Sequence, residues 1–205
     1  MREERKTYLS RTTLYPPSLA RVIMEDYAHI LDYLAKGHPD TFRYRREPVA
    51  YALGESEFKL LELVPKPEAS LQIGDRVYIG KDMDKREKVQ HVKRRISYSD
   101  LTSSAQSELP YVILELVRQQ EERFVKFYNE AQAISTRYHM LELLPGLGKK
   151  TMWAIIEARK KSPFTTFEDL EERVTSLHKP DQLIARRIED ELSDPDQKYH
   201  LFVAR

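Results

Sequence analysis

The sequence of 205 residues contains no cysteine. Disulfides, thiolate nucleophiles and cysteine metal centres are therefore excluded, and the composition fits a reducing compartment. It has no long apolar run, so nothing in it is expected to span a membrane. The charged start, Met1 to Lys6, has no apolar segment behind it that would make a signal peptide, so a cytoplasmic location is expected. It also lacks net charge. Lys and Arg number 34 against 33 Asp and Glu, leaving +1, although 33% of residues are charged. A nucleic-acid surface would have to be a local patch rather than a field of the whole molecule. No internal repeat points to a solenoid. His29, His38, His91, His139, His178 and His200 show no metal-ligand spacing, and no nucleophile-elbow glycine pattern exists. Asp82, Asp84 and Glu87 could in principle hold a divalent cation. Lys81, Lys85 and Arg86 would repel it, so the segment reads as a solvated turn. No cofactor is expected.

The hydrophobic content of 40% supports a core, and the length suits one large domain or two small ones. Residues 1–20 read as an arm, charged at first and then broken by Tyr15-Pro16-Pro17. Residues 21–100 read as β structure. Tyr27 to Leu34 fits both helical and alternating periodicity. Val49 to Leu53 is a strand, Gly54-Glu55-Ser56 a turn, and Phe58 to Val64 the next strand, broken by Pro65-Lys66-Pro67. Ile73 to Gly80 gives a turn and a short buried strand, and Val89 to Tyr98 a further strand. Short strands joined by tight turns, with a mixed polar face, predict a small closed barrel.

Residues 101–205 read as helical. Asp100 or Thr102 can cap a first turn, and Pro110 can open a helix at its first position. An apolar helical pattern through Ala131 to Leu144 stops at Pro145-Gly146, turns through Leu147-Gly148, and restarts as a helix over 151–161. The two glycines permit a tight turn and close approach of a partner. The amides opening the next helix lack internal acceptors and attract an anion, most simply a phosphate. Lys149 and Lys150 sit at the same mouth, where a helix alone disfavours cations. Asp181 to Leu192 reads as a last helix, entered through Pro180. Tyr199 to Val203 is a short apolar run able to dock on the body.

Leu141, Leu144, Pro145, Gly146, Leu147, Gly148 and Ile155 make the stretch 137–161 resemble the helix-hairpin-helix family. Met152 departs from it, standing where the family usually has a small residue. The resemblance implies sequence-independent contact with a nucleic-acid backbone through the hairpin amides. The segment 170–192 reads as a degenerate second hairpin without the glycines. Over most of its length the chain also resembles a mostly archaeal family of uncharacterised proteins, a domain of unknown function. The stretches carrying this are Tyr27 to Leu34, Arg46 to Tyr51, Phe58 to Pro65, Ile73 to Gly80, and the hairpin. The resemblance implies an α+β fold, with an OB-like barrel before a helix-hairpin-helix region, and nucleotide or RNA binding. It also makes Tyr27 to Leu34 a barrel strand.

Two candidate contact regions follow. The first is the hairpin: Gly146, Leu147, Gly148, Lys149, Lys150 and Thr151. The basic residues Arg137, Lys149, Lys150, Arg159, Lys160 and Lys161 outnumber Glu142 and Glu157 there. The second is the barrel face: Arg76, Lys93, Arg94 and Arg95, extended by Arg45 and Arg46, with Tyr78 and Tyr98 flanking for base stacking. The expected function is non-catalytic, weakly specific nucleic-acid binding, with RNA favoured over DNA. One alternative is a module docking on a partner in translation, transcription or repair. A more remote one is a DNA glycosylase or lyase, with Lys150 at the Schiff-base position. That enzyme would need a carboxylate partner, and Glu168 and Asp169 stand instead at a helix start.

Overall fold

A computed structural model describes residues 25–37, 47–194 and 196–204. The expected N-terminal arm, Arg45 and Arg46 lie outside the described residues. The first half of the chain forms β1 (Tyr27–Leu34), β2 (Val49–Gly54), β3 (Leu60–Pro65), β4 (Arg76–Tyr78) and β5 (Val89–Arg95). They make one antiparallel sheet in the order β4-β1-β2-β3-β5. Register irregularities leave one extra residue at Leu31 of β1 and at Gln90 and Lys93 of β5. Such bulges bend a strand and increase its twist, which is how a short sheet curls.

The curled sheet is a half-barrel rather than the closed barrel expected from the strand pattern. β4 and β5 are its two edges, and no ladder joins them. Arg86 spans the gap instead, donating to the carbonyls of Ile79 (3.0 Å), Gly80 (2.8 Å) and Gln90 (3.2 Å). β5 also ends earlier than predicted. The Asp100 carboxylate accepts the Ser97 amide at 2.8 Å, and a 3-10 turn follows over Tyr98–Asp100.

The sheet separates two apolar clusters, which explains why β2 is buried along its whole length. Val49, Tyr51 and Leu53 face the helices, while Ala50 and Ala52 pack on the other face with Ile30, Leu63 and Val77. Alternate residues of a strand point to opposite faces, so both sets are apolar. The larger cluster runs without a break from the sheet into α1 (Ser103–Gln119), α2 (Glu121–Glu130), α3 (Lys149–Lys161), α4 (Phe167–Arg173) and α5 (Pro180–Ser193). Thr102 fixes where α1 begins. Its hydroxyl accepts the Ala105 amide at 3.1 Å and donates to Asp32 of β1 at 2.6 Å, tying helix start to sheet.

Two helical expectations are corrected. Pro110 lies inside α1 instead of opening a helix. Thr102 already caps the first turn, and Leu109, Val112, Ile113 and Leu116 bury one continuous apolar stripe across the proline. That burial outweighs a local cost of about 3 kcal/mol for proline in a helix interior. Secondly, no helix runs from Ala131 to Leu144. α2 stops at Glu130, where Arg159 of α3 donates to the carbonyls of Tyr128 and Ala131, both at 2.8 Å. A two-stranded ribbon follows, β6 (Ala133–Ser135) with β7 (Tyr138–His139), then one 3-10 turn, Met140–Leu143. Ile134, Ser135 and Thr136 favour the ribbon over a helix.

The C-terminal run docks, with Leu201, Phe202 and Val203 all buried. Glu191 of α5 holds it. Its buried carboxylate accepts the amides of Leu201 (2.7 Å), Phe202 (3.0 Å) and Val203 (3.0 Å), and the Nε of Arg187 (2.8 Å). Phe202 then packs edge-on against Phe124 and Phe127.

Candidate nucleic-acid interface

The turn before α3 is built from the glycines inward. Gly146 has φ +82°, a left-handed conformation that strains any residue with a Cβ. Leu147 is buried and its amide bonds the Leu144 carbonyl at 3.1 Å, which anchors the turn. Gly148 is the N-cap of α3, with ordinary extended backbone, and no side chain caps the helix. A Cβ built on Gly148 would meet nothing within 4 Å. Neither strain nor crowding inside the chain therefore calls for glycine at this position. The first backbone bond of the helix is from Met152 to the Gly148 carbonyl at 3.0 Å, so the amides of Lys149, Lys150 and Thr151 have no acceptor within the helix.

The hairpin residues thus meet on one short surface. Gly146, Gly148, Lys149 and Lys150 are exposed, and Thr151 is half-buried, its hydroxyl 3.3 Å from the Ser176 carbonyl. That bond ties the turn to the connection between α4 and α5. Among the described residues, Lys149 and Lys150 form no ion pair. Met152 is buried in the helical cluster, so its bulk is absorbed by the core. The basic excess is smaller than the sequence count. Arg159 is engaged at the end of α2, and Lys160 pairs with Glu157 at 2.6 Å.

The sheet cations are differently placed, on opposite edges and each with a partner. On β4, Arg76 donates to Glu55 at 2.8 Å and lies over the Tyr27 ring, 3.5 Å from its centroid. On β5, Lys93 and Arg94 both reach the buried Glu62 carboxylate at 2.6 Å, and Arg95 donates to the Ala204 carbonyl. Burial pushes the Glu62 carboxyl up, but hydrogen bonds and charge from Lys93 and Arg94 outweigh it and hold it below 4.5. Tyr78 packs edge-on against Tyr27, with ring centroids 5.2 Å apart. Both border a cleft of about 320 Å³ with Arg76, Lys85 and Lys88 on its wall. Lys88 is paired with Asp75 at 2.7 Å, and Lys85 with Asp82 at 3.3 Å. Tyr98 lies instead against the larger apolar cluster. Asp82 caps the short 3-10 turn Met83–Lys85 by accepting the Asp84 amide at 3.2 Å.

Of the two carboxylates considered as partners for Lys150, Asp169 has a local task. Asp169 accepts the Thr165 amide at 3.0 Å and pairs with Arg173 at 3.1 Å. One residue escaped the sequence reading. Trp153, one turn into α3, is 58% exposed. Its spacing of four from Lys149 was the available signal.

A curled antiparallel sheet backed by helices, carrying an uncapped basic turn, defines a mixed α+β protein. The chain belongs to the family described as protein of unknown function (DUF655), whose profile matches residues 24–204. It is 51% identical over 180 residues to the uncharacterized protein MJ0038 of Methanocaldococcus jannaschii, covering 87% of this chain and 80% of the relative. The crystal structure of Af1531 from Archaeoglobus fulgidus, a DUF655 protein, matches with a TM-score of 0.81 and 49% identity. That match covers 88% of this chain and all of the other. Among the described residues no helix is long and apolar enough to cross a membrane.

Proposed function

We propose that this protein binds nucleic acid without catalysing a reaction, RNA ahead of DNA, and contacts the phosphate backbone with little sequence specificity. The observation that carries the proposal is the uncapped start of α3, with Gly148 in open space and beside it two lysines that form no ion pair among the described residues. Free amides and ammonium groups at one point suit a phosphate oxygen, and glycine lets the backbone approach it. The turn is read as a helix-hairpin-helix whose first helix has shrunk to a 3-10 turn. The half-barrel is read as OB-like, since β4 and β5 need only meet to close it. Its basic strand makes the smaller contribution, because Lys93 and Arg94 are already engaged by Glu62. Of the possible protein partners, one in translation or transcription would use the same exposed turn.

Fluorescence anisotropy against structured RNA, single-stranded DNA and duplex DNA at two salt concentrations tests this. Affinity should fall steeply with salt, because bound phosphates release counterions. Gly146→Val with Lys149→Glu should lower affinity at least tenfold. Unchanged binding by the folded double variant would remove the hairpin from the interface. Absence of binding to every nucleic acid at low salt would favour the protein-docking reading.

A further inference from the structure

The six exposed positions of α3 are Lys149, Lys150, Trp153, Glu157, Lys160 and Lys161. At these spacings they fall within roughly a third of the helix circumference, forming one stripe. Glu157 and Lys160 neutralise each other at 2.6 Å. Lys149, Lys150 and Lys161 have no ion pair among the described residues. Unpaired cations therefore stand at both ends of the stripe, roughly 18 Å apart by helix rise. Between them lies Trp153, the only tryptophan of the chain, 58% exposed. An indole left in water loses the burial that normally stabilises it, and it presents a flat face between positive charges.

We infer that this stripe is a binding site for an unpaired stretch of nucleic acid, with Trp153 stacked on a base and the flanking lysines on phosphates. The inference rests on the nucleic-acid reading above and deepens it, because it selects single strands over duplex. A base inside a duplex is already stacked on both faces and has none to offer. A single strand supplies a free π-face together with a negatively charged backbone, which is what a ring between cations complements. A purely apolar protein partner would strand the lysines.

Because Trp153 is the sole tryptophan, its emission reports its own surroundings. Single-stranded oligonucleotides and a duplex of equal length are titrated while Trp153 emission and the anisotropy of a labelled oligonucleotide are read together. Single strands should quench the emission at the concentrations where anisotropy rises. Trp153→Ala should lower single-strand affinity tenfold or more, Trp153→Phe much less, and neither should change duplex affinity. The side chain is exposed, so circular dichroism should show both variants folded. Binding without quenching, and equal in Trp153→Ala, overturns the stacking site but leaves the backbone contact standing. Binding to no nucleic acid overturns both. Emission that shifts with protein concentration alone makes the stripe a contact between two copies and overturns the inference.

Discussion

Replacing Glu191 with alanine should release the C-terminal segment and destabilise the fold by about 4 kcal/mol. Two losses act at the site. The first is the buried pair: Glu191 is 0% exposed at its side chain and Arg187 is 7% exposed. Removing one partner of such a pair typically costs about 3–5 kcal/mol, because the other charge is left dry. The second is the set of amides on Leu201, Phe202 and Val203, each worth roughly 1–3 kcal/mol if buried without an acceptor. The two do not add in full. Once the segment peels away, water reaches Arg187 and the amides, and the loss becomes the burial of three apolar side chains. That burial is worth roughly 1.5–3 kcal/mol each, less the regained backbone freedom of about 1–2 kcal/mol per residue. Detachment therefore limits the total to a few kcal/mol. Urea unfolding followed by far-ultraviolet circular dichroism measures it. Amide exchange at Leu201, Phe202 and Val203 should lose protection in Glu191→Ala. Glu191→Gln, which keeps the shape and one acceptor, should fall between. A loss below about 1 kcal/mol with the three amides still protected would refute the clasp.

Two further expectations separate stability from binding. Gly148→Asp gives α3 the side-chain cap it lacks and places a negative charge at its positive end. It should raise stability by about 0.3–1 kcal/mol while lowering nucleic-acid affinity tenfold or more, as thermal unfolding and anisotropy would show. A parallel fall in both would contradict the open-mouth reading. Glu62→Gln tests the pairing of β5. With its folded pKa below 4.5, the carboxylate contributes stability at higher pH that is lost as pH falls through the lowered value. The variant should cost about 1–2 kcal/mol at neutral pH and flatten the decline below pH 4.5, since Lys93 and Arg94 are half exposed and regain water. Urea midpoints across pH 3–7 decide it, and an unchanged acid slope would speak against it.

The sequence by itself determined what depends on near neighbours. Val49, Tyr51 and Leu53 alternating with Ala50 and Ala52 mark a strand wherever the rest of the chain lies. Leu144 to Gly148 marks a turn because Gly146 must take a left-handed backbone. Leu201 to Val203 marks a docking run because its apolar surface needs cover. For Tyr27 to Leu34 periodicity left two answers, and family resemblance chose the strand. Tertiary structure decided whatever needed a distant partner. Arg159 ends α2 by reaching back 31 and 28 residues, so the ribbon replaced the expected helix. Glu62, also 31 residues from Lys93, engages two of the three adjacent cations of the basic strand. Trp153 became visible as an exposed ring only once the opposite side of α3 had been placed against the core. A charge run or a helical stripe records which side chains exist. Whether each is free depends on what folds against it, and those partners are set by the packing of the whole chain.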